Sequence, residues 1–249
     1  VSRLEIIGLQ GIGEAQSGDS IGALIVDACA RQALKLTSED VLVVAHKIVS
    51  KAEGRVVRLA DVEPSPRAIE LGRELAKDPR LVEIILSESR RIVRKGGNAL
   101  IVETHHGFVC ANAGVDLSNV GLEQAALLPR DPDASARKIR ADIERRAGVA
   151  PGVIISDSFG RTWRLGTVDV AVGVAGVAPI KDERGTKDSY GYELRAAVAA
   201  VADELAAAAE LAMGKKDRVP VVLIRGYEGK GKEGSARELL RPEAEDLFR

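Results

Sequence analysis

Short runs rich in valine and isoleucine alternate along the chain with stretches whose apolar residues recur every three or four positions. That alternation predicts strands interleaved with helices and a mixed α/β fold. Leu4–Ile7 reads as the first strand, within Val1 to Gln10. Val41–Ala45 is continuously apolar and bounded by polar residues, as suits a strand buried on both faces. Val153–Ser156, Val168–Val174 and Val219–Ile224 read as further strands. Ala99–Val102 and Phe108–Ala111 flank the turn-like Thr104–Gly107 and predict a hairpin. Ile21–Leu34 predicts a helix with Asp19 or Ser20 as its N-cap. Ser65-Pro66 and Asp78-Pro79 each place a capping oxygen before a proline suited to a first helical turn, and after the second pair Leu81, Ile84 and Ile85 share a face. Ser135–Arg146 is a charged, largely exposed helix stopped by Gly148. The strongest periodicity is in Tyr192–Met213, where Leu194, Val198, Val201, Leu205, Ala208 and Ala212 step by three and four before Gly214. Its many alanines imply the close approach of a helix or sheet. Ser235–Leu240 predicts a last short helix. No repeat appears, and 1–249 reads as one domain with a candidate subdomain boundary at Leu128–Ala134.

Composition narrows the function classes. The 249 residues carry 36 basic and 37 acidic side chains, so charge gives no reason to expect nucleic acid or an anionic membrane as partner. At 45% hydrophobic residues the chain can build a core, and no apolar run reaches the ~18 residues that span a bilayer. No basic-then-apolar leader is apparent, so a cytoplasmic location is expected. Cys29 and Cys110 make neither a disulfide framework nor a zinc knuckle and read as small buried hydrophobes.

Five segments offer chemistry. Gly226-Tyr-Glu-Gly-Lys-Gly-Lys-Glu233 follows a strand and precedes a helix, as a phosphate-binding P-loop does. Glu233 stands where that loop needs Ser or Thr for magnesium, so a glycine-rich connection is the better reading. Asn112-Ala-Gly-Val-Asp-Leu-Ser-Asn119 gathers a carboxylate, amides and a hydroxyl, either as a hard-cation site or as an Asx-rich turn. Asp157-Ser-Phe-Gly-Arg-Thr-Trp-Arg164 begins at the end of a buried strand, and can bind metal and phosphate or form a turn with surface arginines. His46, Lys47 and Lys51 also follow a buried strand, and Lys51 offers a point charge for a phosphate. His105-His106 resembles a metal pair, but neighbours on a strand face opposite ways, so a hairpin turn is expected.

Taken together, these segments carry a resemblance. Ile48-Val-Ser-Lys-Ala-Glu-Gly-Arg55, Phe108 to Asn119, Leu127-Leu-Pro-Arg-Asp-Pro-Asp-Ala-Ser135 and Ile154-Ile-Ser-Asp-Ser-Phe-Gly-Arg161 appear in order. Asp182-Glu-Arg-Gly185, Asp188-Ser-Tyr-Gly191 and Val201-Ala-Asp-Glu-Leu-Ala206 follow. From about Leu4 to Gly226 the sequence resembles the coenzyme F420-0:L-glutamate ligases, the γ-glutamyl ligases of F420 biosynthesis. The resemblance implies an unusual two-part α/β ligase fold, neither P-loop nor Rossmann, in an intertwined homodimer. It implies GTP-dependent addition of L-glutamate to F420-0 or its dehydro form, then of further γ-linked glutamates. Magnesium or manganese at two sites is implied, with potassium as a further candidate cation. By position, Asp116 and Asp157 match metal-binding aspartates, Ser158 a metal-binding Thr, and Asn119 a GTP-contacting asparagine. Leu9, Gln10, Gly11, Ile12, His46, Lys47 and Lys51 match segments that line the nucleotide. Two of these segments depart from the family pattern. Gln10-Gly-Ile-Gly13 stands where archaeal members tend to read Pro-Leu-Ile-Lys, and His46-Lys47 replaces a small hydroxylated pair. Some relatives carry an additional C-terminal flavin-binding reductase domain, which is not expected here.

The chemistry expected of such an enzyme is activation of a carboxylate as an acyl phosphate, with metals on Asp116 and Asp157 neutralising charge. Lys51, Arg161 and Arg164 are candidates to hold phosphates or substrate carboxylates. The rival readings are another metal-dependent nucleotide phosphotransferase or hydrolase, and a nucleotide-binding module without catalysis.

Overall fold

The computed structural model describes residues 3–229 and 233–246. Its elements are β1 (Glu5–Gly8), α1 (Ile21–Arg31), β2 (Val41–Ala45), α2 (His46–Ala52), β3 (Val56–Arg58), α3 (Pro66–Leu75), α4 (Pro79–Ser87), β4 (Ser89–Gly96), β5 (Ala99–Thr104) and β6 (Val109–Ala111). They continue with β7 (Gln124–Ala126), α5 (Pro132–Ala147), β8 (Gly152–Arg161), β9 (Arg164–Ala175), β10 (Lys181–Asp182), β11 (Val198–Ala199), α6 (Val201–Met213) and β12 (Val221–Arg225). The fold is mixed α/β, and among the described residues no helix is long and apolar enough to cross a membrane.

The largest sheet runs β1-β12-β2-β8-β9, and within it only β2 and β8 are parallel. Side chains alternate across a strand, so a continuously apolar strand must feed two cores. Leu42, Val44, Val153, Ile155, Val221 and Leu223 point to the core that contains α1 and α5 residues such as Ile25, Ile139 and Ile143. Val41, Val43, Ile154, Val222 and Ile224 point to the opposite core, shared with Leu205, Ala206 and Ala209 of α6. The alanines of α6 allow its close approach to the sheet. Gly173 does the same for α5, because a Cβ there would lie 2.4 Å from the Pro132 carbonyl oxygen. A smaller core joins α3 and α4 to β5 through Leu71, Val82, Ile85, Leu100 and Val102.

Four helix ends carry the caps that the sequence predicted, while α5 begins at Pro132 under Asp131, three residues before the expected Ser135. Ser20, Ser65 and Asp78 each accept a backbone N–H, and Gly148 ends α5 in the left-handed conformation. Ser235 closes a capping box with Glu238, over a short 3-10 turn rather than an α-helix. On α4 it is Val82, Ile84 and Ile85 that are buried, with Leu81 only partly covered.

Three expectations are corrected. The helix predicted over Tyr192–Met213 begins only at Val201. Residues 183–199 instead fold back on themselves, with Gly185 N donating to Leu194 O, Leu194 N to Thr186 O, and β10 paired with β11. Once those backbone groups are taken, the helix starts where Asp203 and Glu204 suit its first turn. The helix from Ile21 stops at Arg31, because Gln32 turns its amide back to Ala28 O and Ala33 takes a positive φ. The segment after Ser156 is not a strand-ending turn: β8 continues to Arg161 and pairs with β9 in one long hairpin, with Trp163 in its turn at φ 64°. His105 and His106 do lie in a turn. Their Nε2 atoms meet Ser87 O and Pro129 O separately. Cys29 and Cys110 are both free and buried. In the glycine-rich segment 226–233, Lys230, Gly231 and Lys232 lie outside the described residues.

Candidate active site

The parallel pairing of β2 with β8 ends at Ala45 and Ser156, where β2 stops and β8 runs on into the long hairpin. Beyond that point the chain takes different routes, α2 on one side and the long hairpin on the other, which is where open α/β sheets form crevices. A cavity of about 550 Å³ lies there, lined by segments 12–15, 45–51, 116–121, 156–158 and 210–220 together with Asp169.

The loop after β6 is shaped by three successive residues of positive φ, Asn112, Ala113 and Gly114. Gly114 is needed for space as well as conformation: a Cβ would meet Leu128 at 2.9 Å and Asp157 Oδ2 at 3.2 Å. The chain then straightens, and Asp116 forms an isolated bridge with Ala126 that fixes its backbone. Asp116 Oδ1 accepts from Ser118 N at 2.7 Å, while Lys47 Nζ donates to Asp116 Oδ2 and to Ser118 Oγ, each at 2.7 Å. Burial would raise the Asp116 carboxyl, but the Lys47 ammonium and the Ser118 amide more than offset it, so the group titrates below the usual range and is ionised near neutral pH.

One helical turn along α2, Lys51 Nζ donates to Asn119 O at 2.6 Å and pairs with Glu14. On β8, Asp157 is 9% exposed; its Oδ1 accepts from Ser158 N at 2.8 Å and faces His46 Nε2 at 3.2 Å. That nitrogen is buried and makes no hydrogen bond among the described residues, while Nδ1 lies 3.3 Å from Ser50 Oγ. Burial, and after it the Asp157 charge, push the Cys110 thiol up to about 12, so Cys110 is a protonated neighbour and not a nucleophile. Asp169 is buried on β9 and accepts from the hydroxyls of Ser156 and Ser158.

Ile12, His46, Lys47, Lys51, Asp116, Asn119, Asp157 and Ser158 thus all reach one cavity. Leu9, Gln10, Gly11 and Arg161 do not line it. Leu9 is fully buried in the main core, and Gln10 and Gly11 are tied to α1 through Gln32 and Arg31. Arg161 sits at the hairpin end, donating to Leu165 O at 2.7 Å. The wall also contains residues that sequence reasoning missed: Glu14, Asp169, Glu210, Lys215 and Arg218. Asp169 alone had a visible signal, a carboxylate between the valines of an otherwise apolar strand.

No three His, Cys, Asp or Glu side chains among the described residues make a ready metal cage. The donors do fit a hard divalent cation of the kind held by two carboxylates, a hydroxyl and substrate phosphate. Asp157 and Asp169 place two buried carboxylates on adjacent strands, and the His46 ring is the only basic group within ion-pair distance of either among the described residues. A bound cation would relieve that imbalance.

A family model described as F420-0:Gamma-glutamyl ligase matches residues 11–226. A protein of Methanothermobacter thermautotrophicus named coenzyme F420:L-glutamate ligase is 48% identical over 249 residues, covering 99% of each chain. Proteins of the same name from Methanocaldococcus jannaschii and Methanopyrus kandleri are 47% identical over 84% of each chain and 44% identical over 95% of this chain and 94% of theirs. A match along nearly the whole chain, with identity this high, leaves one conclusion: the chain belongs to the F420-0:gamma-glutamyl ligase family.

Proposed function

We propose that this chain is a ligase that joins L-glutamate to the carboxylate of F420-0 or its dehydro form and then extends the product with γ-linked glutamates. GTP is the activating co-substrate and magnesium or manganese the bound cation, at two sites, with potassium as a further candidate. The observation that carries the reading is the convergence of eight residues, drawn from four separate sequence segments, on one cavity. Its relatives' shared name, coenzyme F420:L-glutamate ligase, points to the same substrates.

A carboxylate and an amine form a salt at neutral pH, not an amide. In the proposed route a carboxylate oxygen of the acceptor attacks the γ-phosphorus of GTP, and GDP leaves. The glutamate amine then attacks the acyl carbon of the resulting acyl phosphate, inorganic phosphate departs, and the nitrogen loses its proton. Asp116, Asp157 and Ser158 would hold the divalent cations between them at the two sites, where the cations would neutralise phosphate charge during transfer. Lys47 and Lys51 lie on one face of α2, four residues apart. Their present partners, Asp116 with Ser118 and Glu14 with Asn119, exchange for phosphate oxygens when the nucleotide enters. Asn119 orients the nucleotide, and Lys215 and Arg218 extend the positive wall for a phosphate or a substrate carboxylate.

The test incubates the protein with F420-0, GTP, magnesium and glutamate and weighs the product. A mass gain of one or more glutamyl residues is expected. GTP cleavage without the amide would favour a hydrolase, and nucleotide binding without cleavage a binding module. The activation step has its own signature. With the acceptor carboxylate labelled in heavy oxygen, one labelled oxygen should appear in phosphate for each amide made. Amide formed with unlabelled phosphate would exclude the acyl phosphate.

We also propose a homodimer and a cytoplasmic location. Trp163 and Leu165, at the hairpin end, are 85% and 97% exposed. Two large, exposed apolar side chains at the tip of a long hairpin suit burial against a second copy. Arg161 lies outside its own chain's cavity, and a second copy seated on this hairpin would give it a site to reach. Leu165→Glu should therefore convert dimer to monomer in analytical ultracentrifugation and lower turnover in parallel. An unchanged sedimentation coefficient would remove this hairpin from the interface.

A further inference from the structure

The Asp169 carboxylate spans two hydroxyls of the neighbouring strand. Ser158 Oγ donates to its Oδ1 at 2.6 Å and Ser156 Oγ donates to its Oδ2 at 2.8 Å. Asp169 stands opposite Ser158 in the β8–β9 register and is only 5% exposed, and all three residues line the cavity. Its backbone setting is firm. An extra residue in β9 shifts the register between Ile155 and Ser156, and the Ala171 N–H beside the shift donates to Asp203 on α6.

A serine hydroxyl has one proton and two acceptor lone pairs. With both protons committed to one carboxylate, Ser156 and Ser158 have only lone pairs left for the cavity. A bond to an ionised acceptor is also short and strong, and it raises the electron density of the donating oxygen. Were this only a way to satisfy two buried hydroxyls, it would leave a buried carboxylate that meets no lysine or arginine among the described residues, an unfavourable arrangement without a cation nearby.

We infer that Asp169 is a positioning residue for a divalent cation in this cavity: it holds Ser158, with Ser156 behind it, as an oriented oxygen acceptor on the face of β8 opposite Asp157. The inference rests on the proposed metal role of Asp157 and Ser158. Asp169 acts through the hydroxyls and is not itself a ligand. Replacement by Asn keeps the shape but offers the pair one oxygen and one N–H donor, so one of the two hydroxyls must turn its proton elsewhere.

The test counts free Mn2+ by electron paramagnetic resonance as it is titrated into the full chain, alone and with GDP present. Asp169→Asn should weaken Mn2+ binding by about 10- to 100-fold, the range typical of groups that orient metal ligands. Ser158→Ala should weaken it comparably, and adding Asp169→Asn to Ser158→Ala should cost much less than it does alone, because the two act through one contact. Asp157→Asn separates the inference from the reading beneath it. If Asp157→Asn also binds Mn2+ like the unmodified chain, or if the unmodified chain binds none in either condition, the metal reading falls and this inference with it. If Asp157→Asn loses Mn2+ while Asp169→Asn keeps full affinity and only melts earlier, Asp169 is merely structural. Should Asp169→Asn fail to fold, Asp169→Glu carries the test, since it keeps the charge but moves it by one methylene. The same loss is expected, and unchanged affinity overturns the inference.

Discussion

Asp157→Asn should yield a folded protein with almost no ligase turnover. The fold is spared because the hydrogen bond that Asp157 accepts from Ser158 N, at 2.8 Å, can be kept by the Asn carbonyl oxygen, and the side chain lies at the cavity wall and not in either core. What disappears is a negative charge on a rigid strand beside His46. In the proposed reaction that charge binds the cation that neutralises the transferring phosphoryl group, so its loss falls on the step that breaks the GTP bond. A decrease in kcat of at least about 100-fold is expected, equivalent to about 2.7 kcal/mol of barrier. The checks are initial rates at saturating magnesium and a thermal melt within a few degrees of the unmodified chain. A well-folded Asp157→Asn protein of normal activity would remove this cavity as the site of chemistry.

Local chemistry made much of the fold legible. Short capping side chains followed by proline marked α3 and α4, and an unbroken apolar run marked β2 with its bounds. Those signals act within a few residues and need no partner. What depends on partners was not visible. β12, near the end of the chain, inserts between β1 and β2, and nothing in either strand's composition specifies that neighbour. The overextended helix from Tyr192 shows the same limit, since residues 183–199 satisfy their backbone within a folded-back segment that helical spacing could not reveal.

The candidate site divides in the same way. Asp116, Asn119, Asp157 and Ser158 stood out because carboxylates, amides and hydroxyls gather just after predicted strands in segments that match the family pattern, and all four reach the cavity. Arg161 drew attention through its nearness to Asp157 in sequence. At ~3.3 Å per residue, four strand residues carry it roughly 13 Å along the hairpin. Glu210, Lys215 and Arg218 gave no signal, because charged residues at a helix end are ordinarily solvated; only the packing of α6 against the sheet brings them to the cavity wall.

Away from the cavity, Arg225→Met should be among the most destabilising single changes in the sheet, at about 3–5 kcal/mol. Arg225, the last residue of β12, lies one position past its pairing with β2 and Asp40 precedes β2, so the two stand side by side at the edge of that ladder. The guanidinium donates to both carboxylate oxygens, at 2.8 and 2.9 Å, and also to Lys35 O. Asp40 is fully buried, whereas the Arg225 side chain is 36% exposed. Removing the arginine strands a buried carboxylate with Thr37 alone among the described residues to bond it, while Asp40→Asn leaves an arginine that water can reach. The arginine change should therefore cost clearly more than Asp40→Asn. Acid supplies the second check. Burial would raise the Asp40 carboxyl, but the Arg225 and Thr37 hydrogen bonds and the Arg225 charge outweigh it, so its pKa in the folded chain is lowered. The pair's stabilisation is then present above the unfolded value, near pH 4, and is lost as pH falls through the lower folded value. In Arg225→Met burial is opposed only by the Thr37 hydrogen bonds, so the carboxyl rises relative to the unmodified chain and protonation relieves the strain. Urea unfolding at neutral pH and near pH 4 should thus show a deficit for Arg225→Met that is largest at neutral pH and shrinks on acidification. A deficit independent of pH, or equal costs for the two substitutions, would mean that the buried charge is not what Arg225 stabilises.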